Sequence, residues 1–245
     1  MPEGSRTNLP RPVNVDRTQL QARISQVRDR LATAEERSGR PTGSVTLIAV
    51  IKTLPSETIA AAVQLGLTDL GENRVQEAEL HQQAVARGAA TWHMIGHLQR
   101  NKAGKALSLF DLVHGVDNLE LAGALARRAT ELGRRAKVLI EVNVSGEASK
   151  FGTIPDELPA LLEQVMTLES LEVQGLMTVG APVETSELAR PGFVRLRKLR
   201  DSVERRLGVS LPVLSMGMSG DYEVAVEEGA TMVRVGTAIF GSRQP

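Results

Sequence analysis

The sequence predicts a closed (β/α)8 barrel of the TIM type, a single domain with one extra helix ahead of its first strand. Eight short apolar runs recur along the chain, and helical periodicity fills the stretches between them. Several of these runs are apolar on both faces, as a parallel sheet covered by helices requires. A doubly wound open sheet is the rival, but it places a glycine-rich turn after its first strand. Here that strand leads into Lys52, Thr53, Leu54 and Pro55, with no glycine fingerprint.

Taken in order, the first element is a helix, because Leu20, Ile24, Val27, Leu31 and Ala34 recur at helical spacing. Asp16 with Gln19 gives it a capping-box-like start, and Gly39 and Pro41 in SGRPTG stop it. Strand runs follow at TLIAVIK (46–52), DLGEN (69–73), WHMIGH (92–97) and DLVHGVD (111–117). Four more come at AKVLIEVNV (136–144), LEVQGLMT (171–178), PVLSMGM (212–218) and TMVRVGT (231–237). Helical stretches such as PSETIAAAVQLG, NLELAGALARRATELG and DELPALLEQVMTL lie between them. The mixed-charge run RLRKLRDSVERR reads as an outer helix face, and Met166, Met177 and Met232 as barrel filling.

Composition narrows the functional classes. The 245 residues are 42% hydrophobic and 24% charged with zero formal charge, so nothing favours nucleic acid or an anionic membrane surface. Aromatic residues make up only 2%, too few for a single-strand stacking surface. Cysteine is absent, which removes disulfides and thiol nucleophiles and agrees with a cytoplasmic setting. No apolar run reaches the roughly 18 residues of a membrane span. Residues 1–15 have no apolar signal region and are expected to be a disordered tail, with residues 16–245 forming the barrel as a monomer.

A barrel of this kind carries its chemistry where the strands end. The run ends supply Lys52, then Glu72 and Asn73, His97, Asp117 and Asn118, and Asn143. The remaining runs supply Met177 and Thr178, then Ser215, Gly217 and Ser219, and finally Arg234, Gly236 and Thr237. Lys52 reads two ways: a lysine snorkelling to solvent, or an amine desolvated at a dry wall and kept nucleophilic. The strand alone does not choose. The last two segments shift the balance, since LSMGMSGDYEVAVEEG and VRVGTAIFG each run strand, glycine-containing turn, helix. Paired loops of that kind after strands 7 and 8 make an anion cradle. A lysine opposite a phosphate cradle suggests a phosphorylated aldehyde, either pyridoxal phosphate or a sugar phosphate.

The segments AVIKT, GENRVQEAE, WHMIGHLQRNK, EVNVSGEASKFG, GLMTVGAP and LSMGMSGDYEVAVEEGATMVRVGTAIFG closely resemble the pyridoxal phosphate homeostasis protein family. These are single-domain relatives of the alanine racemase barrel, the fold type III architecture. The matching segments run from about residue 47 to 241. The resemblance implies that Lys52 holds pyridoxal 5′-phosphate covalently as an aldimine. It sets the phosphate against Ser219 and the backbone of Gly236 and Thr237, Arg234 against the pyridine nitrogen, Asn73 near the ring substituents and Met216 near the phosphate loop. Three positions depart from the family pattern: Ile51 where serine is usual, Arg74 where an aromatic is common, and Gly220 where an acidic residue is common. Ile51 is expected to point away from Lys52, whereas Arg74 and Gly220 bear on the polarity of the mouth.

The residues also bear on turnover. Arginine stays protonated, so Arg234 would donate to the ring nitrogen and weaken the ring as an electron sink. The racemase relatives use a second base, a tyrosine from a partner chain, whereas the only tyrosine here, Tyr222, opens the helix after strand 7. The expectation is therefore a cofactor carrier that serves pyridoxal phosphate homeostasis and hands over to pyridoxal phosphate-dependent apoenzymes. Two alternatives stand beside it, an amino-acid racemase or lyase and a Schiff-base aldolase on sugar phosphates. No metal is expected, because His93 and His97 lack an HExxH glutamate and fall in a strand run. Glu72 reads equally as an orienting group for a neighbour or as a surface or barrel-lumen residue, and Lys150 as a solvated loop lysine rather than a second aldehyde- or phosphate-contacting amine.

Overall fold

The eight runs form eight parallel strands that close on themselves in sequence order. In the computed structural model, which describes residues 15–86, 88–147, 149–180 and 183–242, β1 (Thr46–Val50) pairs with both β2 (Asp69–Glu72) and β8 (Met232–Val235). Between them stand β3 (Thr91–Met94), β4 (Leu112–Val116), β5 (Ala136–Glu141), β6 (Leu171–Met177) and β7 (Val213–Met218). The expected tail of residues 1–15 falls, except for Val15, outside the described residues.

The leading helix, α1 (Arg17–Arg37), starts as its sequence predicts, with Asp16 Oδ1 accepting from the Gln19 amide at 3.0 Å. Each strand then feeds a helix. α2 (Ser56–Gln64), α3 (Val75–His81), α4 (Ala103–Leu109) and α5 (Leu119–Glu131) follow the first four strands. α6 (Leu158–Met166), α7 (Arg190–Leu207), α8 (Tyr222–Glu227) and α9 (Thr237–Phe240) follow the last four. The RLRKLRDSVERR run lies in α7, which buries Phe193, Leu196 and Val203 and turns its charges outward.

Strand alternation divides the core in two. Outward residues such as Ala49, Ile51, Val233 and Val235 pack with the helices into one large cluster, while Leu112, Leu139 and Met177, with Val213 and Met232, form a separate small cluster inside the barrel. Met177 and Met232 thus fill the barrel as expected, whereas Met166 packs against the outer cluster, since its helix lies outside the sheet. Register links the inward positions, Ile48 pairing with Arg234 and Gly71 with His93. Two runs outlast their strands by three residues. β3 ends at Met94, so His97 lies on the following loop and not in a strand. β5 ends at Glu141, after which Val142 makes only an isolated bridge to Thr153.

Candidate functional site

A cavity of about 420 Å³ opens at the carboxyl ends of the strands. Lys52, Asn73, Ser219, Arg234, Gly236 and Thr237 all line it, brought together from β1, β2, β7 and β8. Lys52 arrives by parity: Ile48 lies inside the barrel, Val50 lines the cavity, and the residue two further on follows them. Ile51 takes the opposite face and is fully buried in the outer core, as its position predicts. Directly after Lys52 the chain turns sharply, with Leu54 N donating to Ile51 O at 3.1 Å and Thr53 at φ 62°. A β-branched residue in the left-handed region is strained, and the Thr53 amide is held there by Glu77 Oε2 at 3.1 Å.

The cradle forms between the last two strands. Ser219 Oγ accepts from the amides of Gly236 at 3.1 Å and Ala238 at 3.2 Å, which joins the β7 turn to the start of α9. A serine hydroxyl that accepts twice still has its proton to donate. The turn itself depends on Gly217 at φ 92°, where an added Cβ would stand 2.5 Å from Ala225 Cβ of α8. Asp221 pins the same turn, its Oδ1 accepting from the Met218 amide at 2.6 Å.

Asn73 is set from below. Glu72, fully buried, accepts from the Asn73 amide at 2.8 Å and from His81 Nδ1 at 3.0 Å, so it does orient its neighbour. Burial pushes the Glu72 carboxyl up, and the Asn73 amide pulls the other way. The Asn73 Oδ1 atom is buried with no hydrogen-bond partner among the described residues. An orphan acceptor at a cavity wall is a place for a ligand donor.

Arg234 is 3% exposed, donating through Nη1 to Ser215 Oγ at 2.6 Å and through Nη2 to the Thr178 carbonyl at 2.7 Å. Burial pulls its guanidinium down to about 10, with Glu141 and Asp221 opposing, so it remains a cation at neutral pH. Glu141 is pushed up to about 7 by burial and by Asp117, against the attraction of Arg234. The absence of a side chain on Gly115 leaves the room that its carboxylate occupies, since a Cβ there would lie 3.2 Å from Glu141 Oε2. Glu141 is missing from the sequence reading, although counting two residues on from the inward Leu139 finds it.

Other expected residues fall elsewhere. Met216 does not reach the cavity; it is fully buried in the outer core, because Ser215 before it points inward. The left-handed Gly217 then breaks the alternation and brings Met218 to the cavity wall instead. Asn143 organises its own loop, its Nδ2 donating to Glu147 O at 2.8 Å and its Oδ1 accepting from the Gly146 amide at 3.0 Å. Tyr222 is buried on the helix side beneath the Arg30 guanidinium, 5.3 Å from its ring centroid. His97 stacks on Phe151 at 3.9 Å and lines, with Arg74, a second cavity of about 620 Å³. Lys150 pairs with Glu147 at 2.9 Å and so is not free in solvent. No group of three or more metal-ligating side chains occurs among the described residues.

Residues 18–244 match the family model described as alanine racemase, N-terminal domain. A protein of Aquifex aeolicus named pyridoxal phosphate homeostasis protein is 44% identical over 222 residues, covering 91% of this chain and 97% of that one. The chain belongs to the pyridoxal phosphate homeostasis protein family. A Pseudomonas aeruginosa protein of the same name as the Aquifex one is 42% identical, over 90% of this chain and 94% of its own. Among solved structures, PipY of Synechococcus elongatus PCC7942, with PLP bound, superimposes at a TM-score of 0.80 with 38% identity. That match covers 91% of this chain and all of PipY. Within this family the fold is the fold type III barrel, and the mouth cavity is where its residues of interest converge.

Proposed function

We infer that this chain binds pyridoxal 5′-phosphate at the mouth cavity, attaches it covalently at Lys52 Nζ, and serves the homeostasis of that cofactor. One observation carries the reading: Lys52, Asn73, Ser219, Arg234, Gly236 and Thr237 meet around a single cavity although they come from four strands. The donor set suits the group. The Ser219 hydroxyl, with the backbone at Gly236 and Thr237 beside it, receives a phosphate, Arg234 donates to the ring nitrogen, and the orphan Asn73 Oδ1 accepts from a ring substituent. When bound, the cofactor supplies an aldehyde carbon open to amines and a ring that withdraws electrons from it. A cationic Arg234 keeps the ring nitrogen unprotonated and so restrains that withdrawal. Tyr222, the only tyrosine, packs against α1 away from the cavity, which supports holding the cofactor over racemising a substrate.

The PLP-bound relative and the shared family name favour this cofactor over a sugar phosphate. We further place the protein as a cytoplasmic monomer that hands its cofactor to dependent apoenzymes; no described helix is long and apolar enough to cross a membrane. Borohydride reduction of the loaded protein followed by peptide mapping tests the site. A pyridoxyl adduct on Lys52 is expected, together with a colourless Lys52→Ala variant. An adduct elsewhere with Lys52 unmodified, or a Lys52→Ala variant as yellow as the parent, refutes the assignment.

A further inference from the structure

A line of buried polar side chains runs through the barrel from β2 to Arg234. Asp69 Oδ1 meets His93 Nε2 at 3.0 Å, His93 Nδ1 meets His114 Nε2 at 3.0 Å, and His114 Nδ1 meets Ser215 Oγ at 3.0 Å. Arg234 Nη1 then donates to Ser215 Oγ at 2.6 Å. His93, His114, Ser215 and Arg234 are each at most 3% exposed, while the Asp69 side chain is 25% exposed. We propose that Asp69, His93, His114 and Ser215 form a donor chain of fixed direction that positions the Arg234 guanidinium beneath the cavity.

The direction follows from counting protons. A carboxylate only accepts, so His93 carries its proton on Nε2. As a neutral ring, His93 then accepts at Nδ1 from His114 Nε2–H. The remaining nitrogen, His114 Nδ1, accepts the Ser215 hydroxyl proton, and Ser215 Oγ accepts from Arg234. Every donor has one acceptor, with a cation at one end and a carboxylate at the other. A second proton on His93 would reverse the His93–His114 and His114–Ser215 bonds. The Ser215 hydroxyl proton would then be buried without this acceptor, a cost that the forward arrangement avoids. Burial, with His93 and Arg234 adding to it, holds His114 well below the ordinary histidine value and keeps that ring neutral. The other charged groups that bear on this line are Glu141 on β5 and Asp221 after β7, which act on Arg234, with Asp117 after β4 acting on Glu141.

These are positioning residues, since they reach the cavity only through Arg234. With Ser215 below it and the Thr178 carbonyl beside it, the guanidinium has two of its donors fixed. Its plane is thereby set, and its remaining N–H groups are left for a ligand. The consequence for a bound ring nitrogen rests on the function proposed above; the chain itself does not.

The experiment has two arms. In isotope-labelled protein without added ligand, proton–nitrogen correlation spectra of the imidazoles are expected to show His93 and His114 neutral, each protonated on Nε2. His114 should stay unchanged between about pH 6 and pH 8, where a free histidine titrates. A proton on Nδ1 of either ring, or titration of His114 in that range, overturns the chain. In the second arm Ser215→Ala cuts the line at the arginine, and Ser215→Thr restores a hydroxyl. Folding of both is checked by near-ultraviolet circular dichroism. With pyridoxal 5′-phosphate bound, Ser215→Ala is expected to bind about tenfold more weakly. It should also move the pH midpoint of the visible absorption band, and Ser215→Thr should return both towards the parent. A folded Ser215→Ala variant with parental affinity and midpoint overturns the positioning role. A parent that takes up no coloured cofactor refutes the proposed function instead, and the nitrogen spectra still decide the chain.

Discussion

The charge on Glu141 works against the fold at neutral pH, and Glu141→Gln should therefore stabilise the protein in a pH-dependent way. Glu141 is 5% exposed, and its carboxyl is pushed from 4.5 to about 7 by burial first and by Asp117 second. Arg234 already opposes that rise. Because the folded value lies above the unfolded one, the folded chain holds a proton that the unfolded chain has released. Stability from this group is complete below the unfolded value and is lost as pH rises through the folded value. Between about pH 5 and pH 8 the loss is roughly 2–3 kcal/mol at about 1.4 kcal/mol per pK unit. Glutamine keeps the shape and cannot ionise, so the advantage of Glu141→Gln over the parent should grow by that amount across the same range. In a chain of this size that is roughly 5–10 °C in melting temperature. Urea denaturation of both proteins at several pH values measures it. An advantage that stays constant with pH would show that the carboxyl is not forced into its charged form at a cost.

Three further outcomes follow from the same geometry. Ser219→Ala removes the acceptor of the Gly236 and Ala238 amides and the hydroxyl facing the cavity; pyridoxal 5′-phosphate should bind about tenfold more weakly in an absorbance titration. Gly217→Ala sets a Cβ 2.5 Å from Ala225 Cβ at a backbone φ of 92°. It should destabilise the fold by about 2–4 kcal/mol, read as a lowered denaturation midpoint with a loosened phosphate loop. Glu35, 2% exposed, accepts from Gly43 N, Ser44 Oγ and Val45 N at 2.9, 3.1 and 2.7 Å and so fastens the loop that leads into β1. Glu35→Ala leaves those donors unpaired and should cost about 2–4 kcal/mol in urea denaturation.

By itself the sequence determined the barrel, because the eight apolar runs and the helical stretches between them are local patterns, and a parallel sheet needs both. The run ends put Lys52, Asn73, Ser219, Arg234, Gly236 and Thr237 at the mouth among other residues, and the family resemblance picked these out as the cofactor set. Parity along β1 sufficed to set Ile51 apart from Lys52. The resemblance set Met216 near the phosphate loop, but parity with the inward Ser215 turns it to the outer core, and only beyond it does the left-handed backbone of Gly217 break the alternation and bring Met218 to the cavity. Only the tertiary structure decided the electrostatics. In sequence Glu141 is one more residue inside the apolar run 136–144, until Asp117 and Arg234 are brought near it. The bond between His114 and Ser215 joins residues 101 apart in sequence. Closing the barrel sets them on facing positions of a dry interior. There each polar atom must find its partner among whatever other strands present, and no local pattern of residues encodes that match.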